Sequence, residues 1–338
     1  TELKLRRRVD AGTVRLPDGT QDPAFPEENL YKAPAGSSVL LNNATGEVIA
    51  MASYPNFDNR WFGSGITSDK FQQLFPQTKD PDMAIMVNRA VSGRYNLGST
   101  FKPFTAFAAL NTGQLVGGSE FVYKDQGTYK LESIPNGRCN EGVKCVFKNA
   151  FCASTNSPCT YGPVNVESAL AVSSDTFFYK IGEQILTQRG YKPILEEQVR
   201  LFGFGSPTGI DLPYEFGGAL PSKALKKQLA DDGAISKEEG RAFYVGDNVQ
   251  FAIGQGLLSA TPIQLAVAYS ALANGGSVVT PHVVKAILVP GTPDGDSGFI
   301  DIAQMVVEKD FTQGRIQREI DMTKENRDPI INGLRRVI

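Results

Sequence analysis

The chain has 338 residues, of which 41% are hydrophobic and 21% are charged, and its formal net charge is −2 at pH 7. This composition is that of a globular protein with a large core, and it gives no support to binding of nucleic acid or an anionic membrane surface. No apolar run approaches the roughly 18 residues that a membrane helix needs, and the polar, charged first ten residues do not resemble a signal peptide. We therefore expect any membrane anchor to lie outside these residues.

The N-terminal part predicts an irregular segment followed by a β-hairpin. Residues 1–35 are rich in proline, glycine and charge, and we expect them to precede a single domain over residues 36–338. Within that domain, residues 37–42 and 47–52 predict two strands, joined by a turn with Gly46 at the bend.

Helical spacing of apolar residues predicts four longer helices, over residues 98–113, 164–172, 175–186 and 262–274. Thr261 is expected to cap the last of them. After an Asn-Gly-Gly stop, the chain is expected to continue in extended form over residues 278–287.

Ser99 and Lys102 lie at the start of the first predicted helix. Pro103 follows them, and proline is tolerated in the first helical turn but not in the interior. Lys102 is then one turn from Ser99 and can accept its proton if burial or the field of the helix lowers the lysine pKa. The helix N-terminus would also stabilise an oxyanion beside Ser99. Taken alone, the S-x-x-K pattern is better explained by a capping serine and a solvated lysine.

Ser173, Ser174 and Asp175 form a polar bend between two apolar helical segments. In the functional interpretation, Ser173 relays a proton and Asp175 holds a substrate amide. In the structural interpretation, the bend is simply the N-cap of the helix that follows.

The only histidine, His282, follows a proline and a Gly-Gly turn, so we interpret it as structural rather than as part of a Ser-His-Asp triad. One histidine also argues against a histidine-rich metal site. No glycine-rich nucleotide-binding motif is present.

The cysteines of the chain fall in one short window, at Cys139, Cys145, Cys152 and Cys159. Two disulfide bonds would indicate an oxidising compartment. Zinc or free thiols are the alternatives, although the spacing lacks the close C-x2-C pairs of common zinc sites. We favour disulfides, in a pairing that spacing does not decide.

A set of motifs in a fixed order resembles the class B penicillin-binding proteins, and in particular the elongation-type branch (penicillin-binding protein 2 kind). The S-x-x-K and Ser-Ser-Asp motifs belong to the family signature. Further matching segments are T-G-E-V-I-A-M-A-S-Y-P at 45–55, N-R-A at 88–90, T-G-I-D-L-P at 208–213, G-Q-G at 254–256 and T-P-I-Q-L-A at 261–266. The resemblance covers about residues 35–285.

The resemblance implies a serine D,D-transpeptidase of peptidoglycan synthesis, with an α/β fold in which a mostly antiparallel sheet is flanked by helices beside a helical subdomain. It implies Ser99 as the nucleophile, Lys102 as its base, Ser173 as a proton relay and Asp175 as a substrate contact. No cofactor or metal is implied. The implied partners are peptidoglycan stem peptides, β-lactams and a membrane-bound elongation machinery with a glycosyltransferase. The implied location is the extracytoplasmic face of the bacterial plasma membrane.

One motif of the family, K-[ST]-G on a core strand, occurs nowhere in the 338 residues. Residues 329–338 resemble the helix that precedes this strand, so we expect the strand in further residues or in a separate polypeptide. Without it, we expect an incomplete sheet and a crippled active site. A serine β-lactamase and a non-catalytic β-lactam-sensing or scaffold domain are therefore retained as alternatives.

Overall fold

A computed structural model describes residues 35–63, 65–76, 84–135, 145–152, 157–188, 190–290 and 305–337. Helices and short strands are mixed along the chain, as the α/β interpretation predicts. The described strands are β1 Gly36–Leu41, β2 Val48–Tyr54, β3 Tyr123–Asp125, β4 Thr128–Lys130, β5 Val146–Lys148, β6 Phe151–Cys152, β7 Ser157–Pro158, β8 Gly162–Val164, β9 Ser277–Thr280, β10 Ala286–Val289, β11 Val306–Asp310 and β12 Arg315–Glu319.

The α-helices in the same parts of the chain include all four predicted ones, the first of which is preceded by a 3-10 turn. They are α1 Ser68–Leu74, α2 Arg89–Ser92, α3 Lys102–Asn111, α4 Val166–Ala171, α5 Asp175–Thr187, α6 Ile194–Leu201, α7 Lys223–Asp231, α8 Val245–Ala252, α9 Pro262–Asn274 and α10 Lys324–Arg335. Short 3-10 turns are formed by Asn59–Phe62, Gly98–Phe101, Gly118–Glu120 and Glu239–Arg241. No described helix is long and apolar enough to cross a membrane.

The predicted hairpin is confirmed. Strands β1 and β2 pair antiparallel, with Gly36 opposite Tyr54 and Leu41 opposite Val48. Gly46 takes φ +79° at the bend, a conformation that favours glycine. The hairpin packs against α9 and α2.

Helix α9 matches its prediction at both ends. The Thr261 hydroxyl caps it by accepting a hydrogen bond from the Gln264 backbone amide. The Gln264 side-chain oxygen accepts a hydrogen bond from the Thr261 backbone amide, and the two bonds form a capping box. Gly275 ends it with φ +93°.

The extended stretch predicted over residues 278–287 is broken into β9 and β10. Pro281 has no amide hydrogen for a ladder. The backbone amides of Val283 and Val284 are not available to a strand partner, because they donate to the two carboxylate oxygens of Asp211 at 2.8 and 2.9 Å. The described sheets are all two-stranded and antiparallel, pairing β1 with β2, β3 with β8, β4 with β5, β6 with β7, β9 with β12, and β10 with β11.

The main core surrounds α3, which is buried on nearly every side. Phe101 and Phe104 pack on Phe204 with ring centroids 5.5 and 5.0 Å apart, and Phe107 packs on Phe202 at 5.0 Å. Aromatic burial of this kind contributes several kcal/mol per ring. It fixes the helix that carries Lys102.

Gly182 allows α5 and α8 to approach closely. A Cβ atom at this position would lie 2.7 Å from the Cβ of Ala252 and 3.1 Å from the Asn248 carbonyl. We expect Gly182→Ala to lower the free energy of unfolding by about 1–3 kcal/mol, measured by urea denaturation. Gly246→Ala on α8 is the control, since a Cβ there meets nothing within 4 Å. Equal effects of the two substitutions would contradict the account.

Candidate active site

The turn that carries Ser99 is the entry to α3. Gly98–Phe101 forms a 3-10 turn that continues directly into the α-helix, and Pro103 lies in its first turn. Ser99 is therefore at a helix start, as the position of Pro103 predicted. Its side chain is exposed, so its hydroxyl is accessible to an incoming substrate.

Gly254 holds this turn from the opposite side. The Gly98 amide donates to the Gly254 carbonyl at 2.9 Å. A Cβ atom at Gly254, where φ is +73°, would lie 2.3 Å from the Gly98 carbonyl oxygen, so only glycine fits. The Tyr269 hydroxyl adds a hydrogen bond to the Thr100 carbonyl at 2.9 Å. The G-Q-G segment thus positions the turn that carries Ser99.

The ammonium group of Lys102 points to the bend formed by Ser173, Ser174 and Asp175. Its side chain is only 1% exposed, and Nζ lies 2.6 Å from Oδ1 of Asp175. Nζ also donates to the Ser173 carbonyl at 2.8 Å and to Ser173 Oγ at 3.0 Å. The Phe178 ring lies below it, with the centroid 5.6 Å from Nζ.

Burial is the main influence on the pKa of Lys102, which it lowers from the ordinary lysine value. The carboxylates of Asp175 and Asp125 oppose this shift, Asp175 more strongly. The balance favours release of the proton relative to an exposed lysine, as a general base requires.

The bend at Ser173 has an unusual backbone. Its φ is +55°, in the left-handed region that non-glycine residues seldom adopt. The conformation directs both the carbonyl and the hydroxyl of Ser173 to Lys102 Nζ. Ser174 follows as the N-cap of α5 and accepts a hydrogen bond from the Phe177 amide at 3.2 Å. The capping and the functional interpretations of this bend are therefore compatible.

Below the bend lies a buried polar network that was not predicted from the sequence. Asp125 is 2% exposed, and Ser174 Oγ donates to its Oδ2 atom. Asn149 is 3% exposed; its Nδ2 donates to both Asp125 oxygens at 2.9 Å, and its Oδ1 accepts from the Thr176 amide at 2.9 Å. Asp125-Gln126-Gly127 had a turn-like sequence, but nothing in the sequence linked it to Ser174.

The cysteine-bearing segment adjoins this network. Cys145 and Cys159 are disulfide-bonded. Cys139 and the side chain of Cys152 lie outside the described part of the structure. No group of three or more His, Cys, Asp or Glu side chains in the described parts could hold a metal ion.

His282 is packed as a structural residue. It is 9% exposed, and its Nδ1–H donates to the Val284 carbonyl at 2.9 Å. Its backbone bridges to Glu47 of the hairpin.

Of the four predicted site residues, the structure brings Lys102, Ser173 and Asp175 into direct contact. Ser99 is linked to Lys102 along the helix, because the Lys102 amide donates to the Ser99 carbonyl. Among the described residues, no hydrogen bond joins Ser99 Oγ to Lys102 Nζ. Asp175, expected on a substrate amide, is occupied here by Lys102.

Residues 36–337 match the model of the penicillin binding protein transpeptidase domain. The peptidoglycan D,D-transpeptidase MrdA of Acinetobacter baumannii is 31% identical over 270 residues, which cover 78% of this chain and 35% of that relative. MrdA of Haemophilus influenzae is 32% identical, over 75% of this chain and 33% of the relative. The chain thus spans about a third of the length of these relatives.

A solved structure of Pseudomonas aeruginosa PBP2 in complex with WCK 5153 has the same fold. The TM-score is 0.64 at 28% identity, and the match covers 88% of this chain and 56% of that one. A structure described as a peptidoglycan synthase complex that coordinates polymerization and crosslinking also has a TM-score of 0.64, at 27% identity, over 93% of this chain and 43% of its own. The predicted fold class and the resemblance to penicillin-binding protein 2 are confirmed.

Proposed function

Because the chain belongs to the penicillin-binding protein transpeptidase family, we propose that it is the catalytic region of a peptidoglycan D,D-transpeptidase. It cross-links stem peptides through an acyl-enzyme at Ser99. The observation that carries this proposal is the buried Lys102 ammonium, one turn from Ser99 and in contact with Ser173 and Asp175.

In the first half-reaction, Ser99 Oγ attacks the carbonyl carbon of the peptide bond between the two terminal D-alanines. Neutral Lys102 takes the hydroxyl proton, and burial favours this neutral form by lowering the lysine pKa. Lys102 Nζ then gives this proton to Ser173 Oγ, 3.0 Å away, as Ser173 passes its own hydroxyl proton to the leaving amine. The C–N bond breaks, D-alanine departs, and an ester remains on Ser99.

In the second half-reaction, a side-chain amine of another stem peptide attacks the ester carbonyl. The amine loses a proton through the same route, Ser99 regains its own, and an amide cross-link is released. Asp175 holds Lys102 in place before substrate arrives and is proposed to contact a substrate backbone amide afterwards. No step requires a metal or an organic cofactor.

β-Lactams are proposed to acylate Ser99 in the same way and to remain attached. The proposed partners are peptidoglycan stem peptides and a membrane-bound elongation machinery with a glycosyltransferase. Similarity to a synthase complex described as coordinating polymerization and crosslinking supports the latter. The proposed location is the extracytoplasmic face of the plasma membrane. Two disulfides among the four cysteines would be stable in that compartment, and the bonded state of Cys145 and Cys159 supports this part.

The test is reaction of the natural full-length protein with fluorescent penicillin and with nitrocefin. We expect one stable fluorescent adduct per chain, blocked by prior treatment with unlabelled benzylpenicillin, and no sustained nitrocefin turnover. Rapid turnover would instead identify a serine β-lactamase. Absence of any adduct would support a non-catalytic domain and would sink the proposal.

A further inference from the structure

We infer that Asp125 and Asn149 are positioning residues: they hold the bend at Ser173–Asp175 against the end of β3 and the segment that contains Cys159, and they set the place and electrostatic surroundings of Lys102. Neither residue belongs to the S-x-x-K or Ser-Ser-Asp motif. Neither contacts Lys102 by a hydrogen bond in the described parts of the chain. Their action is exerted through Ser174 and Thr176.

The first observation is that the Asp125 carboxylate only accepts hydrogen bonds from the described residues around it. The Gly127 amide donates to Oδ1 at 2.8 Å, Asn149 Nδ2 donates to both oxygens, and Ser174 Oγ donates to Oδ2. Ser174 Oγ already accepts from the Phe177 amide, so its own hydrogen is directed to Asp125. Three donor groups thus occupy both carboxylate oxygens, and Asp125 serves only as an acceptor among the described residues.

The second observation is that both polar atoms of the Asn149 side chain form hydrogen bonds. Nδ2 bonds both Asp125 and the Cys159 carbonyl, the latter at 2.8 Å, while Oδ1 accepts from the Thr176 amide. The Asn149 amide also donates to the Gly127 carbonyl at 3.0 Å. One buried side chain therefore joins three segments: the end of β3, the segment that contains Cys159, and the first turn of α5.

The third observation is that the bend these bonds secure is strained. A non-glycine residue at φ +55° has a strained backbone, so the surroundings must hold Ser173 in place. Ser174 is fully buried and fixed by Asp125, and Thr176 is fixed by Asn149. The flanking residues thus hold the Ser173 carbonyl and hydroxyl on Lys102.

The fourth observation concerns charge. The carboxylates that act on Lys102 are Asp175, at the start of α5, and Asp125, at the end of β3. The tyrosines near these carboxylates, Tyr123, Tyr161 and Tyr179, have pKa values raised chiefly by burial, so they stay uncharged. Removing the Asp125 charge therefore takes away one of two negative charges that favour the lysine proton.

The test is the titration of Lys102 in the full-length protein labelled with 13C at lysine Cε, with Lys102→Met used to assign the resonance. For Asp125→Asn we expect the Lys102 midpoint to fall by about half a pH unit or more. The matched control is Glu183→Gln. Glu183 is a buried carboxylate on α5 that accepts from the Glu132 and Ser133 amides and does not act on Lys102. An unchanged midpoint in Asp125→Asn, or an equal fall in Glu183→Gln, would overturn the inference.

A second arm measures the rate of acylation by benzylpenicillin, and this arm rests on the proposed function. Ser174→Ala removes the bond to Asp125 but leaves its charge, so we expect a plateau acylation rate about ten-fold lower with little change in initial binding. A wild-type rate in a folded Ser174→Ala would overturn the positioning role even if Asp125→Asn failed to fold. If wild type itself forms no adduct, the proposed function fails, while the titration still decides the inference.

Discussion

Replacing Ser99 with alanine is expected to abolish formation of the penicillin adduct. The change removes the protein atom that attacks the substrate in the acylation step, so the acylation rate should fall by at least about a thousand-fold. Ser99 is exposed and makes no side-chain hydrogen bond in the described parts of the structure, so the fold should be unaffected. The measurement is fluorescent penicillin labelling followed over hours, with the unfolding temperature recorded in parallel.

The matched control for this change is Thr100→Ala. Thr100 is the exposed neighbour in the same turn, and among the described residues its hydroxyl bonds only the Leu97 carbonyl, at 2.7 Å. It should label at close to the wild-type rate. Persistent labelling of Ser99→Ala would mean that another residue is acylated and would contradict the assignment.

Replacing Lys102 with methionine is expected to slow acylation by about a hundred- to ten-thousand-fold. Methionine fills most of the same volume in the aromatic surroundings, but it cannot accept the Ser99 proton. It also leaves Asp175 and the Ser173 carbonyl without their partner, so the free energy of unfolding should change as well. The acylation rate and the urea midpoint should be measured on the same preparation.

Lys226→Met separates these two effects. Lys226 is 4% exposed and pairs with Asp247 at 2.7 Å, so it reproduces the burial and the ion pair of Lys102 outside the candidate site. We expect a comparable loss of stability with a nearly unchanged acylation rate. If both variants slow acylation equally, Lys102 acts only through the fold and is not the base.

The parts of this site that could be predicted from the sequence depend on local rules. Proline is tolerated in the first turn of a helix but not in its interior. Pro103 therefore predicted that Ser99 lies at a helix start, and the structure has it there. Thr261 and Gln264 form a capping box, and a threonine followed three residues later by a glutamine is a local pattern that favours one.

The parts that could not be predicted depend on contacts between distant segments. Lys102 and Ser173 are 71 residues apart, and Asp125 and Ser174 are 49 apart, so no local pattern joins them. Nor could the sequence show that Asp175 would pair with Lys102, because an acidic residue at a helix start is also explained by the helix dipole. The order of the family motifs predicted the site residues, and the packing of α3 against α5 brings Lys102, Ser173 and Asp175 into contact.

The central claim is tested most directly by locating the penicillin adduct. The natural full-length protein is treated with benzylpenicillin, digested, and analysed by mass spectrometry. We expect a single modified site at Ser99, within the peptide that contains Leu97–Lys102. A modification on any other residue, or no modification of a folded protein, would contradict it.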